Sequence, residues 1–139
     1  MKYHRFLCIL LALSLLLCAV PFTAVCEESV EPQWEYASII KATISINGNK
    51  ASVQGYITPK SSTENRKLSI IVYLQRKENG KWRSLDSWSG SATNATAKAS
   101  GSKTIERGYE YRALAVGRIS TAEGVLLERP TSASSSQSY

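Results

Sequence analysis

The sequence predicts an all-β domain, a two-layer antiparallel β-sandwich of seven strands that follows a cleaved signal peptide. Three observations support this class. Beyond residue 35, apolar and polar residues alternate with the period of two that half-buried strands show. Turn-forming residues interrupt the alternation roughly every 8–15 residues, a spacing typical of short antiparallel strands. The same part of the chain shows no helical period, so two packed sheets are the expected architecture.

A hairpin over residues 68–88 is the element on which the rest of the predicted domain packs. Its first strand presents one apolar face, formed by Leu68, Ile70, Val72 and Leu74. Asn79-Gly80 follows, and both residue types tolerate the positive φ that a type I′ turn requires. Large apolar side chains return on the second strand: Trp82, Leu85 and Trp88.

Five further strands are predicted, at about 36–46, 50–58, 94–99, 108–116 and 124–129. Asn47-Gly48 is a second type I′ signal. Gly55, inside a strand, indicates a bulge or a close approach by another backbone. The segment 89–102 consists almost wholly of small residues, so it is either a weak edge strand or a mobile loop.

The expected core takes inward-facing residues from most of these strands. On the sixth strand we expect Tyr109 to point inward together with Tyr111. The core predicted for the whole domain is Ile44, Ile46, Val53, Leu68, Ile70, Val72, Leu74, Trp82, Tyr111, Ala113 and Ala115.

Residues 1–26 have the three-part pattern of a secretory signal peptide. Basic residues precede an apolar run over residues 6–17, and a more polar segment follows. The small-x-small pattern at residues 24–26 predicts cleavage between Cys26 and Glu27. The alternative is a membrane anchor, but an apolar run of about a dozen residues is shorter than the ~20 that a spanning helix needs.

All three cysteines lie in or at the edge of this signal: Cys8, Cys18 and Cys26. The mature chain is therefore expected to contain no disulfide, and its stability must come from burial and strand pairing. Lipidation of Cys18 or Cys26, as in a bacterial lipoprotein, is the other possibility. Neither cysteine directly follows the small Gly, Ala or Ser that such processing favours.

The remaining chain divides into three parts. Residues 27–35 are acidic and contain a proline, which predicts a leader lying on the surface. Residues 36–130 form the β-sandwich domain. Residues 131–139 are mostly serine and are expected to be a disordered tail.

The mature chain is mildly basic. Removing Lys2 and Arg5 leaves 15 basic against 11 acidic residues, a net charge of +4. An ordinary solvated surface explains this balance, and weak attraction to anionic cell-wall polymers or lipid headgroups is the sharper alternative. The chain has no dense Lys/Arg tract and no nucleic-acid motif, so a nucleic-acid partner is not expected.

A resemblance rests on residues 108–116, Gly-Tyr-Glu-Tyr-Arg-Ala-Leu-Ala-Val. They resemble the sixth strand of fibronectin type III and related immunoglobulin-like sandwiches, whose pattern there is Tyr-x-aromatic-Arg-x-x-Ala-Val. The hairpin is similar to their third and fourth strands, so the likeness covers about residues 68–118. It implies an immunoglobulin-like fold in which Tyr109 would be a structural tyrosine-corner residue. The second strand departs from the pattern because it lacks the core Trp of fibronectin modules.

The whole precursor also resembles uncharacterised small secreted β-sandwich proteins of Gram-positive bacteria. Neither this group nor the fibronectin modules imply a catalytic residue for this chain.

The residues of the mature chain offer little catalytic chemistry. The single histidine, His4, leaves with the signal, so no Ser-His-Asp triad, thiol nucleophile or usual zinc ligand set is expected. Asp86 is the only aspartate, and there is no Asp-rich calcium loop or Gly-rich phosphate loop. Two carboxylates can hydrolyse a glycoside, but nothing in the sequence places a particular pair in a cleft. We expect no enzyme activity, cofactor or metal.

The sequence therefore predicts a secreted or envelope-associated interaction or structural module whose partner is a protein or a cell-wall polymer. A module that binds carbohydrate is the alternative, because aromatic faces stack on sugars. A secreted toxin or inhibitor is a third possibility. The aromatic residues not needed for the predicted core are the candidate glycan contacts: Trp34, Trp88, Tyr56 and Tyr73.

Overall fold

The structure, a computed structural model, describes residues 33–61 and 64–139. The predicted signal peptide, its cleavage site at Cys26 and Glu27, and residues 27–32 of the predicted leader lie outside these residues. Within the described ranges, no helix is long and apolar enough to cross a membrane.

Nine β-strands form the described part of the chain. They are β1 (Ala37–Asn47), β2 (Lys50–Pro59), β3 (Arg66–Glu78), β4 (Lys81–Thr93), β5 (Ala97–Thr104), β6 (Glu110–Thr121), β7 (Leu126–Glu128), β8 (Thr131–Ala133) and β9 (Gln137–Ser138). Sheet 1 has the order β1-β2-β5, and sheet 2 has the order β4-β3-β6 with the three short strands paired to β6. All pairings are antiparallel, which confirms the predicted all-β class and is consistent with a sandwich.

The prediction of a disordered tail after residue 130 is wrong. β8 pairs with Leu114–Val116, and β9 pairs with Glu110 and Tyr111, so both continue the edge that β7 begins. A serine-rich segment buries little apolar surface, but it supplies backbone partners to the otherwise open edge of β6. The hydroxyl of Ser134 adds to this pairing by accepting the Ala113 N–H at 2.9 Å. The last predicted strand is therefore longer than 124–129 and is broken into three pieces.

The two predicted hairpin turns have different outcomes. Asn79 (φ 50°) and Gly80 (φ 76°) both have positive φ, as the predicted type I′ turn requires. At the first hairpin Asn47 pairs with Lys50, so Gly48 and Asn49 are the central residues. Of these two only Gly48 has positive φ, at 55°, which is the type II′ pattern. The prediction of a type I′ turn at Asn47-Gly48 is therefore wrong.

β5 pairs with β2 and lies at the edge of sheet 1, so the small-residue segment does contain an edge strand. The strand starts at Ala97, three residues later than predicted, because residues up to Thr93 still belong to β4. Gly55 shows no bulge, and the close approach there is by side chains of the opposite sheet rather than by another backbone. A Cβ atom there would lie 3.2 Å from Val72 Cβ and 3.3 Å from Ala115 Cβ, both on sheet 2.

The core lies between the two sheets. Inward residues of β3 and β6 are fully buried, and β2 contributes Ala51, Val53 and Ile57. Of the predicted core residues, Ile46 is only half-buried but packs against the core, whereas Trp82 is half-buried and is not part of the core. The buried hydrophobic residues of the core cluster that the prediction omitted are Ala37, Ala42, Ala51, Ile57, Ala97, Ala99, Ile105 and Ile119.

Tyr111 anchors the turn that leads into β6. Its ring is completely buried, and its hydroxyl donates to the Glu106 carbonyl at 2.7 Å and accepts the Glu106 N–H at 3.1 Å. This is the geometry of a tyrosine corner, in which a tyrosine near the start of a strand bonds backbone a few residues upstream. Tyr109, expected to point inward and to take this role, is instead 37% exposed.

Replacing Tyr111 by phenylalanine should lower the free energy of unfolding by about 1–3 kcal/mol, because two backbone groups of Glu106 lose their partner. Urea unfolding followed by tryptophan fluorescence measures this change. Tyr109→Phe is the matched control and should shift stability by less than about 0.5 kcal/mol, as expected of an exposed site. Equal effects of the two substitutions would contradict the assignment.

Candidate functional surface

The outer face of sheet 2 carries three groups of side chains that differ in their chemistry, and it is the candidate functional surface. Because side chains alternate along each strand, the odd-numbered residues of β3 from Lys67 to Lys77 point away from the core. The pairing of β3 with β4 and β6 places an outward residue of each neighbour beside them. The face divides along its length into three parts, which we name the polar end, the apolar middle and the aromatic end.

The polar end carries two cations among four hydroxyl groups. Lys67 pairs with Thr93 and Ser120, and Ser69 pairs with Ser91 and Arg118. These six residues line an open depression of about 470 Å³ together with Leu68 and Ala92. Among residues 33–61 and 64–139, no ion pair includes either cation.

One carboxylate lies near the polar end. A hydrogen bond from Thr121 lowers the pKa of Glu123, and the positive charge of Lys67 lowers that pKa further by a smaller amount. Lys67 and Glu123 are not in ion-pair contact, so Glu123 acts on Lys67 only through the weaker long-range attraction.

The apolar middle is formed by two neighbouring pairs of residues on β3 and β6. Ile71 pairs with Val116, and Tyr73 pairs with Leu114. Ile71 is 37% exposed, and the other three side chains are half-buried. Their β4 neighbours are serines, so no side chain of β4 covers this apolar strip.

The aromatic end is a stacked and hydrogen-bonded cluster. The guanidinium of Arg112 lies 4.3 Å from the ring centroid of Trp82, a cation–π distance. Arg112 Nε donates to Gln75 Oε1 at 2.8 Å, and Gln75 Nε2 donates to Ser84 Oγ at 3.2 Å. Burial lowers the pKa of Arg112, although arginine stays protonated at any physiological pH. The face of Trp82 is therefore occupied by a cation of the same chain.

The outer face of sheet 1 is different in character. Its outward positions on β1, β2 and β5 are mainly serine, threonine, glutamine and lysine. Its aromatic residue, Tyr56, pairs with Lys41 and Lys98. Ile39, which is 43% exposed, lies near the end of the sheet. The extended apolar strip therefore belongs to sheet 2 alone.

The structure does not bring the four predicted glycan contacts onto one platform. Tyr56 and Tyr73 lie on the outer faces of opposite sheets. Trp88 pairs with Val72 on the inner side, and its indole occupies the space above Gly101, where a Cβ atom would be 2.0 Å from the ring. Trp34 precedes β1 and packs, partly buried, against the core.

Sequence reasoning missed Trp82 as a surface residue because of one irregularity in β4. The pairing register shifts between Leu74 and Gln75, where Leu85 is the extra residue of β4. A bulge of this kind exchanges the two faces of the strand, so Trp82 points outward although Trp88 points inward. The type I′ turn gave a usable signal, since counting back from Asn79-Gly80 pairs Trp82 with the exposed Lys77.

The acidic residues of the described chain include two glutamates that share one arginine. No cluster of three or more potential metal ligands occurs among the described residues. Glu78 and Glu106 both contact Arg76, Glu106 at 2.8 Å, and hydrogen bonding from Arg76 lowers the pKa of Glu78. A glycosidase acid needs a raised pKa, and the pKa of Glu78 is shifted in the opposite direction.

Comparisons with known proteins give no family for this chain. No family model matches it, and no curated protein matches it. It is similar to a solved structure of Bacteroides uniformis beta-glucuronidase 2 covalently bound to cyclophellitol-6-carboxylate aziridine, with 13% identity and a TM-score of 0.44. The match covers 68% of this chain and 12% of the other. No activity is transferred on this likeness.

Replacing Arg112 by lysine should destabilise the domain by about 1 kcal/mol, because a lysine cannot keep both the bond to Gln75 and the planar stacking on Trp82. The tryptophan emission should also shift, since one indole face gains water. Arg118→Lys, on the same strand and face, is the control and should leave both properties unchanged. If the Arg112→Lys variant has the same thermal unfolding temperature and the same tryptophan emission as the unchanged protein, the stacking of Arg112 on Trp82 is contradicted.

Proposed function

We propose that this chain is a secreted, non-enzymatic interaction module of the extracellular space or cell envelope, and that it binds a cell-wall polymer through the outer face of sheet 2. The contrast between the two outer faces carries this proposal. Sheet 1 presents polar residues typical of a solvated surface, whereas sheet 2 presents a continuous apolar strip with cations beyond both ends. A contiguous apolar strip on a surface, rimmed by polar groups, supports a binding site.

The fold type we propose is immunoglobulin-like, close to fibronectin type III. Two features support it. Strands one, two and five form one sheet, while strands three, four and six form the other with the last strand segments at its edge. Tyr111 makes the corner contact that such sandwiches use at the start of their sixth strand.

The choice of a polymer over a protein partner rests on the side chains around the apolar strip. Hydroxyl groups line its β4 side along most of its length, and the cations stand at its ends. Hydroxyls both donate and accept hydrogen bonds, so they suit a ligand rich in hydroxyl groups and anions. A protein partner typically meets a larger aromatic patch, and here the face of Trp82 is already covered by Arg112.

The export step has its own test. Intact-mass analysis of the product in the culture medium should show a chain that begins at Glu27, as the small-x-small pattern predicts. A cell-bound product that keeps residues 1–26 would contradict export and favour the membrane anchor. A lipid adduct on Cys26 would contradict free secretion and favour the lipoprotein.

The binding face is tested by removing its exposed apolar groups. The double variant Ile71→Thr with Val116→Thr keeps β-branched side chains in the strands and should lower retention on isolated cell walls at least tenfold. The matched control, Ile39→Thr with Tyr56→Thr, removes apolar side chains from the outer face of sheet 1 and should change retention less than twofold. Sedimentation with protease-treated walls measures both.

Two results would contradict this proposal. Equal retention of the two double variants would show that the apolar middle is not the contact. Retention on untreated walls that disappears after protease treatment would show that the partner is a wall protein rather than the polymer.

A further inference from the structure

The depression at the polar end has the charge and the shape of a small ligand site. We propose that it binds the phosphate groups of a hydroxyl-rich chain, a polyol phosphate or sugar phosphate polymer, through Lys67 and Arg118. This inference rests on the proposed function and specifies the ligand chemistry of the same face.

The two cations are held near each other by the strand register. Lys67 pairs with Ser120, and Arg118 pairs with Ser69, so the two cations are diagonal neighbours on adjacent strands. Diagonal positions of this kind are about 7–8 Å apart, and long side chains reach across that distance. Like charges at this spacing repel, and the described residues around the depression include no carboxylate that forms an ion pair with either. An anion bound between them removes this repulsion, and phosphate is the anion that both lysine and arginine bind well.

The hydroxyl groups argue for a ligand larger than a free anion. Ser69, Ser91 and Thr93 line the depression, while Ser120 uses its hydroxyl to donate to the Lys67 carbonyl at 3.3 Å. A volume of about 470 Å³ lies in the range of small-molecule sites and exceeds what one phosphate group fills. The remaining space and the three hydroxyls suit the hydroxyl groups of a polyol or sugar unit attached to the phosphate.

The apolar middle begins next to the depression along the strands. Ser69 is followed on the same face of β3 by Ile71, and Arg118 is preceded on β6 by Val116. A polymer whose phosphate sits between the cations can therefore lay the carbon chain of its next unit along this strip. A single phosphate contact is weak, so repeated units along the face are what would give useful affinity.

The test is a heteronuclear NMR titration of the secreted chain with a glycerol phosphate oligomer. The expected shifts lie on β3, β4 and β6 at the polar end, and the affinity should fall as salt is added. The double variant Lys67→Gln with Arg118→Gln should raise the dissociation constant at least tenfold. The control, Lys41→Gln with Lys98→Gln, removes the same charge from the outer face of sheet 1 and should change it less than twofold.

Further titrations distinguish a polymer phosphate from free phosphate and from a lipid headgroup. Inorganic phosphate should bind more weakly than the oligomer, and glycerol alone should not bind. Vesicles containing phosphatidylglycerol should not compete with the oligomer, and tighter binding to vesicles than to the oligomer would place the phosphate on lipid and overturn the polymer assignment. Equal losses in the two charge variants would show general attraction of a basic protein and would also overturn it.

Failure of this inference is distinguishable from failure of the proposed function. If the Lys67 and Arg118 variant still binds cell walls while the Ile71 and Val116 variant does not, the face is the contact and phosphate recognition is wrong. If neither variant loses wall binding, the binding face itself is wrong.

Discussion

The structure depends on the burial of β3 between its two neighbours and the opposite sheet. Every second side chain from Leu68 to Leu74 is at most 1% exposed, and both edges of the strand are hydrogen-bonded, to β4 and to β6. No cysteine occurs after Cys26, so this burial and the strand pairing hold the domain together. Because strand side chains alternate, fixing the buried set of β3 also fixes which residues lie on the outer face. The buried residues of the core therefore determine which residues form the candidate surface. A shift of the strand register by one residue would exchange the buried and the outward side chains.

The bulge at Leu85 is where β4 departs from this alternation, and it decides the character of the surface. Without it, Trp82 and Trp88 would share one face because they lie six positions apart, an even spacing along the strand. With it, Trp88 fills the gap above Gly101 and closes the inner edge, while Trp82 stacks under Arg112 outside. One extra residue thus divides two similar side chains between a packing role and a surface role.

The success of each prediction from the sequence depends on how far apart in the chain the interacting residues lie. Local signals served well: alternation located the long strands, and Asn79-Gly80 defined its turn, because both depend on residues close in sequence. The misassigned features depend on distant partners. Whether Tyr109 or Tyr111 reaches the Glu106 backbone depends on the approach of β6 to the core, and the serine-rich tail is ordered by an edge that only the folded sheet provides. The candidate surface depends on both kinds of signal. Alternation predicts which residues of each strand point outward, but the proximity of Lys67 to Arg118 follows only from the pairing of β3 with β6.

The edges of the sheets give an independent reason to look for function on a face. β4 and β5 approach so closely that a Cβ atom at Gly90 would overlap the Lys98 carbonyl, and Asp86 joins Lys103 at 2.9 Å across the same boundary. On the other side, the carboxylate of Glu128 accepts the N–H groups of residues 35–37 at 2.7–3.1 Å, which fastens the start of β1 to β7. A partner strand would have to break these contacts before it could extend either sheet, at the cost of desolvated polar groups that the domain has already satisfied. The outer face of sheet 2 needs no such rearrangement, because its outward side chains are not part of these edge contacts, and this is why we favour a ligand that lies on this face over one that adds a strand to a sheet edge.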